Sequence, residues 1–183
     1  MVGKGRHPVL GLRSPDPLLS TVAPIGLAAS VGTALVVDLV STRAASRRTL
    51  RDMWADGPTL SELSPGRPGI AMVAGGSIER DAAIEVIEQL SRRWPALVVR
   101  TDGIDWPFAT VPVIPLFPGR LAPQPEGSHG VWQPVGAGAD PPGPGPVLPR
   151  LGPRALRRML EGHLPRRSRW VEAWRPVWEM PWA

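Results

Sequence analysis

Short runs of consecutive apolar residues recur along the first two thirds of the chain, separated by segments with helical spacing. Val9 to Leu12 is the first run. Asp16 then offers an N-cap carboxylate with Pro17 at the first helical position, and the pattern predicts a helix to about Ser30. Ala34-Leu35-Val36-Val37-Asp38-Leu39 is apolar without alternation, as in a parallel strand buried on both faces. Ser46 to Ala55 reads as a short helix that Gly57-Pro58 stops, Thr59 to Leu63 as a turn or helical fragment, and Ile70 to Ala74 as a third strand. From about Ser77 to Trp94, Ala83, Ile84, Ile87, Leu90 and Trp94 recur at helical spacing, while Glu85, Glu88, Arg92 and Arg93 fall on the opposite face. Ala96 to Val99 is a fourth strand. Val111 to Phe117 is a fifth, which Pro112 and Pro115 should confine to a sheet edge.

This alternation predicts an α/β fold over residues 1–117, with a mostly parallel sheet and flanking helices. Residues 118–153 hold ten prolines in 36 positions and read as an extended linker or wrapping arm without regular structure. Residues 154–183 form a basic, tryptophan-rich C-terminal segment that opens with a short helix.

Composition removes several chemistries. With no cysteine there is no disulfide framework, thiolate metal site or thiol nucleophile, which fits a cytoplasmic protein. Residues 1–149 carry 13 basic and 13 acidic side chains, so the net +5 lies wholly on residues 150–183, where eight arginines face Glu161, Glu172 and Glu179. An anionic partner should therefore be sought there. Residues 17–37 are 21 positions without a charge, close to the length of a membrane span, and Lys4, Arg6 and Arg13 precede them as before a signal peptide. Pro24, Gly26, Gly32 and the β-rich run ending at Asp38 favour instead a buried helix, a turn and a strand.

The turn after the first strand sits where an α/β protein would cradle a phosphate, and its residues oppose that use. A cradle needs backbone N–H groups, a lysine and a hydroxyl. Pro15 and Pro17 remove two N–H groups, and Asp16 places its own charge at the helix N-terminus.

The order of elements and several fragments resemble the first half of the ParA/MinD-like family of P-loop ATPases. Leu27-Ala28-Ala29-Ser30 followed by Ala34 to Leu39 is similar to that family's first helix and second strand, and Thr49 to Met53 to its next helix. Gly69 to Gly75 resembles its third strand, and Leu90 to Val99 its following helix and Walker B strand. The resemblance covers residues 8–103. It places the deviant Walker A loop on residues 13–21, with Leu19 where the family has its catalytic-loop lysine and only Ser20 and Thr21 keeping the hydroxyl positions. The Walker B aspartate falls on Arg100, a reversal of charge, and Asp38 matches the aspartate that helps arrange the attacking water. Without the lysine and the Walker B carboxylate, the charge stabilisation of phosphoryl transfer is missing. What the resemblance implies is a degenerate relative with no nucleotide, metal or other cofactor and no enzymatic activity.

Asp102 and Asp105 lie just past the fourth strand, where open α/β sheets form their ligand crevice. They read as a polar turn, or as a carboxylate pair, joined by Asp38, for acid–base work or for holding a metal, with Arg100 near enough to neutralise Asp38 as an ion pair. His7, His129 and His163 share no ligand spacing, and no metal site is expected.

In the tail, Trp170, Trp174, Trp178 and Trp182 recur every four residues beside Arg166, Arg167, Arg169 and Arg175, with Pro176 and Pro181 interrupting the stripe. Three readings stay open. The tail docks on its own domain, or it anchors a protein partner, these two being compatible, or it holds single-stranded nucleic acid or anionic lipid. The expectation is an accessory protein acting through a protein partner or homo-oligomer, possible pseudo-subunit contacts included, with a nucleic-acid-associated role through residues 150–183 as the alternative and membrane contact as the lesser case.

Overall fold

The computed structural model describes residues 8–41, 48–66, 68–103, 106–117, 129–136, 140–161 and 168–182. The strands are β1 (Val9–Arg13), β2 (Ala34–Asp38), β3 (Ile70–Ala74), β4 (Leu97–Arg100), β5 (Thr110–Leu116) and β6 (Val131–Pro134). The helices are α1 (Pro17–Val31), α2 (Leu50–Asp56), α3 (Leu60–Leu63), α4 (Arg80–Ser91), α5 (Pro153–Leu160) and α6 (Arg169–Glu172), followed by a 3-10 turn at Arg175–Glu179. All strand pairs are parallel, in the order β3-β2-β4-β1-β5-β6. The expected α/β class with a parallel sheet and flanking helices is what the chain adopts, consistent with a truncated P-loop-like fold.

Continuous apolar strands are needed because both faces of the sheet are covered. Ala34, Val36 and Val98 turn to the α1 side, whereas Leu35, Val37, Leu97 and Val99 turn to the side of α2 and α4. Thr49 opens α2 with a capping box: Asp52 N donates to its hydroxyl at 3.3 Å, and Thr49 N donates to the Asp52 carboxylate at 2.7 Å. That backbone hydrogen bond, then the Thr49 hydroxyl, holds the Asp52 carboxyl below its ordinary value. The expected start at Ser46 lies outside the described residues.

Helix α1 is apolar on nearly every side because it is covered twice. The sheet lies beneath it, and α5, α6 and the 3-10 turn lie above it. The uncharged stretch 17–37 is thus this helix plus interior strand β2. Among the described residues no helix is long and apolar enough to cross a membrane.

Two expectations are corrected. β5 is an interior strand, between β1 and β6. In a parallel strand, alternate residues bond to alternate neighbours. Gly11 N donates to Ala109 O and Val135 N to Leu116 O, so odd residues of β5 turn to β1 and even ones to β6. Pairing with β1 ends at Pro112, and pairing with β6 begins at Val113. Pro112 therefore faces the β6 side before β6 starts, and Pro115 faces the β1 side after β1 has ended. Each missing N–H falls at a local edge, which satisfies the steric rule inside the sheet. Second, the proline-rich stretch does carry regular structure. It supplies β6, and residues 146–148 run along the outer side of that strand through Trp132 N to Pro146 O (2.9 Å) and Leu148 N to Trp132 O (2.8 Å). Trp132 and Leu148 are buried by this arrangement.

Candidate functional site

The C-terminal ends of β1, β4 and β2 and the start of α1 converge on one crevice, where an open α/β sheet places ligands. The chain fills it with its own groups. Asp16 caps α1: its carboxylate accepts from Leu19 N at 2.7 Å, and its carbonyl accepts from Ser20 N at 2.8 Å. Asp16 N donates to Ser14 Oγ at 3.2 Å. Since Pro17 has no N–H, Leu18 keeps the one first-turn amide without a partner among the described residues. One amide beside a carboxylate is not an anion cradle.

Arg100 lies beside both Leu12 and Asp38 in the strand register, and its side chain crosses the crevice. Nη1 donates to Asp38 Oδ2 at 2.9 Å, and Nε donates to Ser20 Oγ at 3.0 Å. The Arg100 and Asp38 side chains are each 15% exposed. The other Asp38 oxygen accepts from Val40 N at 3.1 Å and Ser41 N at 3.0 Å. The ion pair that the sequence offered as a way to neutralise Asp38 is therefore present, with Ser20 as a third member. The signal for Ser20 was available, since it retains a hydroxyl one turn from the capping carboxylate, but the sequence does not say which cation it meets.

The remaining expected positions do not join this group. Leu19 is buried in the core under α1, and Thr21 Oγ1 donates to Pro17 O at 2.9 Å within its own helix. Asp102 is exposed in a bend, where Thr101 Oγ1 accepts from Gly103 N at 3.1 Å. Asp105, His7 and His163 lie outside the described residues. His129 is exposed, and no cluster of three metal-ligating side chains occurs among the described residues.

Among the described residues the partner of the Ser20 hydroxyl is a guanidinium, which donates and cannot take a proton, so no base stands beside it there. Asp38 has spent both oxygens on an ion pair and two amides.

The tail takes the first of its three readings. Trp170 is 3% exposed and Trp174 is fully buried, packed edge to face at 5.5 Å on the outer side of α1. Gly26 makes the approach possible, since a Cβ there would overlap the Trp170 ring. Trp170 Nε1 donates to the buried Gln133 Oε1 at 2.6 Å, and Gln133 Nε2 donates to Pro149 O at 3.2 Å, which ties tail, β6 and arm together. Trp178 Nε1 donates to Ser30 Oγ at 3.1 Å, and Trp182 Nε1 to Val177 O at 2.6 Å. While the tail is docked, Trp170 and Trp174 are thus part of the core. Arg169 and Arg175 are exposed, and Arg166 and Arg167 lie outside the described residues.

Comparison with family models, with curated proteins and with solved structures finds no match to this chain.

Proposed function

We propose that the chain is a non-enzymatic accessory protein that acts by association, built on a P-loop-like sheet whose nucleotide crevice is closed. The observation that carries this is Arg100, bonded to Asp38 and Ser20 where a magnesium-bound phosphate would need to sit. The resemblance to ParA/MinD-like ATPases supports the reading. Active members work as dimers, and a copy without catalytic groups can serve as a pseudo-subunit of an active one or of another complex. The absence of cysteine fits a cytoplasmic setting.

The test is melting in the presence of ATP and Mg²⁺. A ligand at a hundred times its Kd stabilises by about 2.7 kcal/mol, several degrees for a chain of this size. We expect no rise in melting temperature and no turnover at millimolar ATP. A rise with phosphate release overturns the reading.

A second reading, a nucleic-acid-associated role, is favoured by one observation. Arg150, Arg154, Arg157, Arg158, Arg169 and Arg175 are exposed and make no ion pair among the described residues. The tryptophans that would stack on single strands are spent on the domain, so what remains is attraction to a phosphate backbone. Binding of a labelled random duplex should then weaken by about 100-fold or more between 50 and 200 mM salt. It should also drop on combined Arg154→Ala, Arg157→Ala and Arg158→Ala, with melting unchanged. No duplex binding at low salt removes this second reading.

A further inference from the structure

One edge of the sheet is closed by residues 146–148, and the other, at β3, is open. Ala34 N donates to Gly69 O and Gly75 N donates to Asp38 O, so odd-numbered residues of this strand bond to β2. The N–H and C=O groups of Ile70, Met72 and Ala74 therefore point away from the sheet. Ala74 is buried beside the start of α2, where Arg51 N donates to Gly75 O. Met72 stands open at 45% exposure and Ile70 is half-buried against the core, and neither backbone has a partner on that side among the described residues. Edges of this kind are usually protected by a charge, a proline or a bulge. β3 reads Ile-Ala-Met-Val-Ala and has no charge and no proline.

Beside this edge, on the side of α2 to α4, lies a cavity of about 290 Å³ walled by Leu35, Met53, Ala71, Val73 and Trp94. Its volume is at the lower limit of about 300 Å³ for small-molecule sites, closer to one large side chain than to a cofactor. The charges at its rim, Arg48 and Glu62, are paired with each other at 3.0 Å, so they select no charged group. Leu60, at the start of α3, is 86% exposed next to the lining residues Ser61 and Glu62.

We infer that β3 and this cavity form a docking groove for an extended segment of another protein, which adds as a strand and places one bulky apolar side chain in the cavity. Strand addition draws affinity from main-chain hydrogen bonds and specificity from pockets for alternate side chains, and both parts are present here. A second copy of the chain fits less well. A two-fold axis normal to the sheet would bring the partner's β3 to this edge with its alanine and valine already turned into its own core, and the cavity would stay empty. The inference rests on the reading of the chain as an interaction protein but uses a surface apart from the crevice, so the two fail separately: nucleotide titration tests one and peptide titration the other.

The probe is a fluorescein-labelled series of eight-residue threonine–valine peptides that differ at one central position, alanine, leucine, phenylalanine or tryptophan. Binding to the full chain should tighten by about tenfold or more from alanine to the best bulky residue. Met72→Pro, which removes an outward N–H and leaves the bonds to β2, should weaken binding at least about tenfold. Ala71→Leu, which fills the cavity, should flatten the side-chain preference. In the unmodified chain, saturating peptide should slow amide exchange at Met72 and leave Val73, already bonded to β2, unchanged; this readout needs no variant to fold. The inference is overturned by no binding at millimolar peptide, by affinity independent of the central residue, by exchange at Met72 that peptide leaves unaltered, or by a dimer in light scattering that Met72→Pro dissolves.

Discussion

Trp174→Ala should unfold this protein more readily than any other single truncation in the tail. The indole is fully buried between α1 and the rest of the tail, and deleting a buried tryptophan costs about 3–5 kcal/mol. For a chain of this length that corresponds to a fall in melting temperature of roughly 6–20 °C. Its ring nitrogen has no hydrogen-bond partner among the described residues, so the loss is one of packing and not of a polar contact. Gly26→Leu should act in the same direction from the other side of the contact, because a side chain there must displace Trp170 and lies within 2.8 Å of the Trp174 ring nitrogen at its first carbon. Trp54→Ala is the control, since Trp54 is more than half exposed on α2 and its loss should stay within about 0.5 kcal/mol. Thermal melts of the three variants decide the matter. If Trp174→Ala melts with the unmodified chain, the tail is not part of the core and returns to the pool of free binding segments.

The contrast between what could and could not be read in the chain follows from the range of the interactions. β1 to β4 and helices α1 and α4 were legible because a sheet covered on both faces demands unbroken apolar runs, and because Asp16-Pro17 and Gly57-Pro58 punctuate locally. The Arg100–Asp38 pair was legible for a similar reason, as adjacent parallel strands bring their ends together. β6 was not. Val131-Trp132-Gln133-Pro134 is four residues with a proline and an amide, and that amide is buried against distant partners: Pro149, whose carbonyl accepts from it, and Trp170, 37 positions later, which donates to it. The position of β5 was misjudged because the rule about prolines is local to each hydrogen-bonding side, while the sequence shows only that prolines are present. The membrane-like look of residues 17–37 has the same origin as the tryptophan stripe. A glycine within a helix costs about 1 kcal/mol relative to alanine, and here it admits the tail that covers the outer face of an all-apolar helix.

Arg100→Met should cost about 2–3 kcal/mol, because breaking a buried ion pair from one side costs about 3–5 kcal/mol and the residual exposure of both side chains moderates it. The strain falls on Asp38, which keeps its bonds to Val40 N and Ser41 N but loses its cation. Adding Asp38→Asn should restore much of the loss, since the amide oxygen can still accept from those two N–H groups and no buried charge remains. A double-variant cycle should return a coupling of about 2 kcal/mol; a coupling near zero would mean that the pair adds nothing to closing the crevice. The doubly substituted chain also separates two features by which, on the proposed reading, the chain would exclude nucleotide. One is the Arg100 bridge across the strand ends, and the other is the α1 entry loop, with two prolines that lack N–H groups, a capping carboxylate and the buried Leu19. Because those loop features survive both substitutions, ATP with Mg²⁺ should leave the melting temperature of the double variant unchanged. A rise there, with none in the native chain, would assign the exclusion to the bridge alone and show that the loop can still receive a triphosphate once Arg100 is gone.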